Sequence, residues 1–213
     1  GIDESLLRCP ADVPLYLPAV MGVGEKLPVY HNCSGKHAAM LAACCAAGWP
    51  LETYRELGHP LQQHVSALVG AVVGEISATL VDGCGVPTFV SPLRALARGL
   101  LAIEGGREAG AMRAHPFLVG GTDRLDTDLM TALPSVLIKS GAEGLACLSV
   151  DGLGIALKAR DGAARARGPA VLHVLEQLDV APKDVLAQHR EPPVLGGGVP
   201  VGSLRAAGDL ERA

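Results

Sequence analysis

Residues 134–162 read PSVLIKSGAEGLACLSVDGLGIALKARDG, and three short apolar runs stand out in them: Val136 to Lys139, Leu145 to Val150 and Leu153 to Ala159. Glycines at positions 141, 144, 152 and 154 punctuate these runs. Short aliphatic runs separated by glycine are strands joined by tight turns, so this segment is expected to fold as an antiparallel meander. Upstream the pattern is helical. Ser91-Pro92 supplies an N-cap and a first-turn proline for a helix reaching about Ile103, where Gly105-Gly106 stops it. Arg107 to Ala114 and Asp126 to Leu133 read as further short helices. His59-Pro60 opens another, running to about Glu75, with Leu61, Val65, Leu68 and Val72 spaced three and four apart along one face. From Lys36 to Ala47 nearly every residue is a good helix former, and Gly48 ends the run. That helix is apolar almost all round and is therefore expected to be buried.

Ile76 to Val81 reads as a strand that ends in the irregular turn Asp82-Gly83-Cys84-Gly85-Val86-Pro87. Downstream of the meander, Arg165 to Leu178 returns to helix, Pro182 to Gln188 adds a short one, and Val199 to Leu204 reads as a closing edge strand. Helices followed by an antiparallel sheet with a helix packed on it make an α+β arrangement. The expected organisation is one domain over residues 1–213, mainly helical over 31–133 and mainly antiparallel sheet, with its packed helix, over 134–213.

Composition narrows the function. At 49% hydrophobic and 19% charged residues, the 213-residue chain carries too much apolar surface and too little charge to be intrinsically disordered. Its 18 basic residues against 22 acidic ones leave a net charge of -4, which argues against nucleic acid as a partner. The longest apolar stretches fall short of the ~20 residues that cross a bilayer, so no membrane association is expected. Six cysteines in a chain able to bury its own core are too sparse for a disulfide framework and point to reduced thiols and a cytoplasmic setting.

Only five of the basic residues are lysine, at positions 26, 36, 139, 158 and 183, so a lysine in apolar or glycine-rich surroundings stands out. Lys36 follows Cys33-Ser34-Gly35 at the start of a helix, where a thiol and an amine three residues apart share one face. A helix N-terminus and a lysine both favour the thiolate, which suits a nucleophile or a metal ligand; the plainer reading makes Cys33 a small buried hydrophobe. Cys44 and Cys45 take that plainer reading. Asp82-Gly83-Cys84 adds a carboxylate and a second thiol on a glycine turn, yet without the paired close spacing typical of zinc sites. His59, His64, His115, His173 and His189 lie on helices or beside prolines and are expected to cap or face solvent. Lys139-Ser140-Gly141 at a strand end matches the Lys-Ser/Thr-Gly element of serine β-lactamases and penicillin-binding proteins, while the Ser-x-x-Lys nucleophile that accompanies it there occurs nowhere in this chain.

Several segments together resemble the asparaginase II family, the zinc-associated bacterial L-asparaginases with a glutaminase and serine β-lactamase-like fold. They are His31 to His37 (HNCSGKH), His59-Pro60-Leu61-Gln62, Val81 to Cys84, Pro87-Thr88-Phe89, His115 to Met130 (HPFLVGGTDRLDTDLM), Lys139 to Gly144 (KSGAEG) and Gly152 to Gly162. The resemblance implies hydrolysis of the side-chain amide of L-asparagine to aspartate and ammonia, on a small-molecule substrate, with a homodimer as the candidate assembly. It implies a zinc ion held by Cys33, Lys36 and Cys84, with Asp82 and His37 supporting the site. A lysine ligand must be neutral, which calls for a depressed pKa at Lys36. It also implies that Lys139 lines the catalytic pocket, with Ser140 and Gly141 beside it to contact substrate. In the family the serine nucleophile and its lysine lie upstream of the Cys-Ser-Gly-Lys motif. The chain is therefore expected to be an N-terminally truncated form, inactive alone, with a sheet edge or apolar face left uncovered. Two other readings stand beside this one: a thiol-dependent hydrolase with Cys33 as nucleophile and Lys36 as base, and a non-catalytic remnant that binds a metal or a partner.

Overall fold

A computed structural model describes residues 2–182 and 184–209. The chain is of α+β type, mixing short helices with small antiparallel sheets, and it separates into two compact units, Gly1–Pro92 and Leu93–Ala213. No helix among the described residues is long and apolar enough to cross a membrane.

In the first unit, a short helix α1 (Leu17–Val20) precedes two longer ones, α2 (Ser34–Ala47) and α3 (Pro60–Val73). Helix α2 starts at Cys33 as its N-cap and ends where Gly48 adopts φ 68°, a left-handed conformation that satisfies the last carbonyls. Only His37, Leu41 and Cys44 are buried along it. The expectation of all-round burial is thus corrected. Alanine is apolar but small, so exposing it costs little, and α2 is held by a single stripe. Cys44 lies in that stripe, whereas Cys45 is exposed. The His59 side chain caps α3, its Nδ1 accepting the Leu61 N–H at 3.1 Å. Leu41, Cys44, Tyr54 and Leu61 form a small core with Trp49 packed against it. The Trp49 ring lies 6.3 Å from that of His59 and 5.1 Å from that of His64.

The strands β1 (Ala78–Val81) and β2 (Pro87–Val90) pair antiparallel, with Val81 opposite Pro87. The turn between them is closed by Asp82 N–H to the Val86 carbonyl and Gly85 N–H to the Asp82 carbonyl, both at 2.8 Å. It carries Cys84, which is 1% exposed and packs with Cys9 and Val86.

The second unit begins with four helices: α4 (Leu93–Ile103), α5 (Arg107–Ala114), α6 (Pro116–Gly120) and α7 (Leu125–Ala132). The meander follows as β3 (Leu137–Ser140), β4 (Leu145–Val150) and β5 (Leu153–Lys158), in spatial order β3-β4-β5. Alternation along β4 sends Ala146, Leu148 and Val150 into a core shared with Leu129, Met130 and Ile138. Helix α8 (Arg167–Gln177) closes that core with Val171, Leu172 and Leu175, all fully buried. Helix α4 lies so close to β5 that a Cβ on Gly154 would sit 2.4 Å from the Ala97 carbonyl oxygen.

A short helix α9 (Ala187–Arg190) and the hairpin β6 (Pro193–Gly196) and β7 (Val199–Ser203) complete the described chain. The expected helix over 182–188 starts later, at Ala187, and Lys183 lies outside the described residues. The last strand was expected to close the main sheet; β7 instead pairs with β6 in a separate two-stranded sheet. The glycine run at 196–198 turns the chain back on the strand just before it, and this local pairing closes a much shorter loop.

Candidate functional site

Two clusters of chemistry-bearing side chains form, one in each unit. In the first unit, the 2-residue step from His31 to Cys33 is fixed by the Cys33 N–H donating to His31 Nδ1 at 3.0 Å, which sets the thiol at the entrance to α2. One turn on, Lys36 reaches the β1–β2 turn, its Nζ donating to Asp82 Oδ2 at 3.2 Å. The same oxygen accepts the Cys84 thiol at 3.4 Å, and Oδ1 accepts the Gly83 N–H at 2.8 Å. Cys33 Sγ, an Asp82 oxygen and Cys84 Sγ lie within 4.8 Å of one another. The structure therefore brings together Cys33, Lys36, Asp82 and Cys84 across 46 or more residues of sequence.

Charge in the cluster is balanced internally. Burial raises the Asp82 carboxyl, but the Gly83 N–H and the Lys36 ammonium outweigh it and hold the group below its ordinary value. Burial pulls Lys36 down, yet its hydrogen bonds to Cys84 and Asp82 and the electrostatic pull of Cys84 and Cys33 leave it above its ordinary value. This is opposite to the depression that a neutral lysine ligand requires, because within the cluster the ammonium is the counter-ion of its neighbours. Burial lifts the Cys33 thiol, with Lys36 acting against it. A nucleophilic thiol needs the reverse.

His37, one residue further along α2, turns inward. Its Nδ1 meets the Tyr54 hydroxyl at 2.5 Å, and that hydroxyl accepts the Arg8 N–H at 2.9 Å. Burial, then the Lys36 and Arg55 charges, push the imidazole down to about 4, so it sits neutral in the core at pH 7.

Two thiols and a carboxylate are donors of the kind that zinc takes, at Zn–S bonds of ~2.3 Å that put tetrahedral donors about 3.8 Å apart, whereas Lys36 is here an ammonium that donates to Asp82. The Cys33, Asp82 and Cys84 donors lie within 4.8 Å of one another, so they would draw in by up to about 1 Å to hold such an ion.

In the second unit, the end of β3 is held from two sides. Asp126, in the first turn of α7 and 5% exposed, accepts the Ser140 N–H at 2.5 Å on Oδ1 and the Ser140 hydroxyl at 2.6 Å on Oδ2. Arg167, at the start of α8, donates Nη1 to the Gly141 carbonyl at 3.1 Å. Lys139 is half exposed; its Nζ donates to the Ser140 carbonyl at 2.7 Å and lies 3.8 Å from Asp126 Oδ1. Asp126 and Arg167 were not singled out from sequence. Asp126 lies 14 residues before Ser140 and Arg167 26 residues after Gly141, and the one usable signal was an aspartate inside the quoted run HPFLVGGTDRLDTDLM. His189 also departs from expectation: its Nε2 meets Asp128 Oδ2 at 2.6 Å, fastening α9 to α7.

Fold and clusters thus describe an α+β protein with a metal-compatible donor set in one unit and a clamped, lysine-bearing strand end in the other. Comparison with known families adds the lineage. The family model described as L-asparaginase II matches residues 1–206, and the chain belongs to the L-asparaginase II family. Membership points to an asparaginase-type amidohydrolase with a small-molecule substrate. No curated protein matches the chain.

Proposed function

We propose that this polypeptide carries the substrate-binding and metal-binding part of an amidohydrolase that converts L-asparagine to L-aspartate and ammonia. The observation that carries this reading is the family match across residues 1–206. The reaction is nucleophilic acyl transfer: a nucleophile attacks the side-chain carboxamide, the C–N bond breaks, ammonia leaves, and water releases aspartate. Lys139 lines the pocket, and Ser140 and Gly141 face the substrate from a strand end that Asp126 and Arg167 hold rigid. Such rigidity supports the reading, because donors and charges arranged before substrate arrives cost no reorganisation during reaction.

Cys33 and Cys84, with Asp82, would hold zinc, and Lys36 would join them as a ligand on giving up the proton that it now donates to Asp82. The ion would supply two positive charges among the thiols and tie the start of α2 to the β1–β2 turn. The nucleophile is assigned to a Ser-x-x-Lys element, which these 213 residues do not contain. The 213-residue chain alone is therefore expected to release no ammonia from L-asparagine, and an extended polypeptide that includes such an element is expected to release it, as a homodimer by light scattering. Ammonia release by the short chain itself, lost in Cys33→Ala, would instead support the thiol hydrolase. Silence from the extended protein would support a non-catalytic binding role.

A further inference from the structure

We infer that the end of β3 selects a ligand carrying an ammonium group, through a Ser140 hydroxyl whose proton is already committed to Asp126. This rests on the amidohydrolase reading and specifies which part of the amino-acid substrate Ser140 recognises.

The argument starts from donor and acceptor counting. A carboxylate only accepts, so across the 2.6 Å contact Ser140 Oγ donates and Asp126 Oδ2 accepts. A hydroxyl has one proton and two lone pairs. With the proton spent, Ser140 can offer an incoming ligand nothing but a lone pair. The arrangement is locked, since Oδ1 of the same carboxylate takes the Ser140 N–H at 2.5 Å and the side chain of Asp126 is 5% exposed. Arg167 holds the next residue through the Gly141 carbonyl at 3.1 Å. A ligand carboxylate or carbonyl oxygen placed against Ser140 would therefore meet lone pairs without a proton between them, whereas an N–H group would be accepted. A charged N–H donor gains most.

Lys139 adds the opposite polarity on the same strand end. Its ammonium is half exposed and lies 3.8 Å from Asp126 Oδ1. A cation next to a hydroxyl polarised by a buried carboxylate is the complement of a zwitterion: the α-carboxylate of an amino acid meets Lys139, and its α-ammonium meets Ser140. On the L-asparagine reading, Ser140 is then the residue that distinguishes an α-amino acid from its des-amino analogue of the same length.

The test is calorimetric binding of L-aspartate and of succinate, which keeps both carboxylates and lacks the ammonium, to the 213-residue chain. The wild type is expected to bind L-aspartate at least about tenfold more tightly than succinate, the scale of one hydrogen bond from a charged group. Ser140→Ala is expected to remove that preference by weakening L-aspartate while leaving succinate within about twofold, and Ser140→Thr, which keeps the hydroxyl, to restore it. Asp126→Asn, whose amide can donate and so release the hydroxyl proton, is expected to shrink the preference. Equal binding of the two ligands by the wild type, or equal weakening of both by Ser140→Ala, would overturn the inference and leave the amidohydrolase reading intact. Binding of neither ligand would overturn that reading and the inference with it.

Discussion

Cys84 shows how much one side chain does at a turn. Its thiol donates to Asp82, its neighbours are Cys9 and Val86, and it is 1% exposed, yet it belongs to no helix or strand. Cys84→Ala is expected to lower the zinc retained per chain after dialysis to well under half the wild-type content, read by atomic emission. The loss of stability should be on the order of 1 kcal/mol, because the void left by one sulfur is small. Unchanged metal content would remove Cys84 from the ligand set. The residues of this cluster were legible in sequence because a thiol, an amine and a glycine turn are each distinctive. Asp126 and Arg167 were not, since a buried carboxylate and a half-buried guanidinium look like surface charge until the fold brings them to Ser140 and Gly141. His37 was read as support for the metal; in the fold its ring nitrogen is engaged with Tyr54.

Among the elements, those with their own punctuation were read closely. Helix α5 matches its expected span at both ends, and β4 does as well, because Gly106 and His115-Pro116 bracket the first and Gly144 and Asp151-Gly152 the second. Elements whose fate depends on distant partners were read less well. Burial of α2 depends on what packs beside it, which local pattern does not encode, and β7 pairs with β6 across the glycine turn at 196–198 instead of with the main sheet. The close approach of α4 to β5 belongs to the same class. Gly154→Ala would force a methyl against the Ala97 carbonyl and, at 3.1 Å, against Leu101 Cβ. A loss of about 1–3 kcal/mol is expected in urea unfolding, as for other overpacked sites. Leu172→Ala, at a fully buried position of α8, should cost about 2–5 kcal/mol by the same measurement.

At the scale of the whole chain, each unit assembles its core from its own residues. The larger cluster draws on Ala109 through Ala181, all in the second unit, and the smaller ones draw on Cys9 through Val86, all in the first. Residues 93–213 expressed alone are therefore expected to unfold cooperatively, with a single calorimetric transition. A broad, transitionless trace would show that they depend on residues 1–92. The apolar fraction and glycine content run evenly along the sequence, so the junction near Pro92 leaves no compositional mark, and the turn from helices to sheet at Pro134 was the more visible change.

The indole of Trp49, edge-on to the His59 imidazole and tilted against that of His64, is the single tryptophan of the chain. Its emission is a reporter for the first unit alone, while far-ultraviolet ellipticity sums the helices of both. Heating one sample and following both signals separates the melting of the two units without cutting the chain.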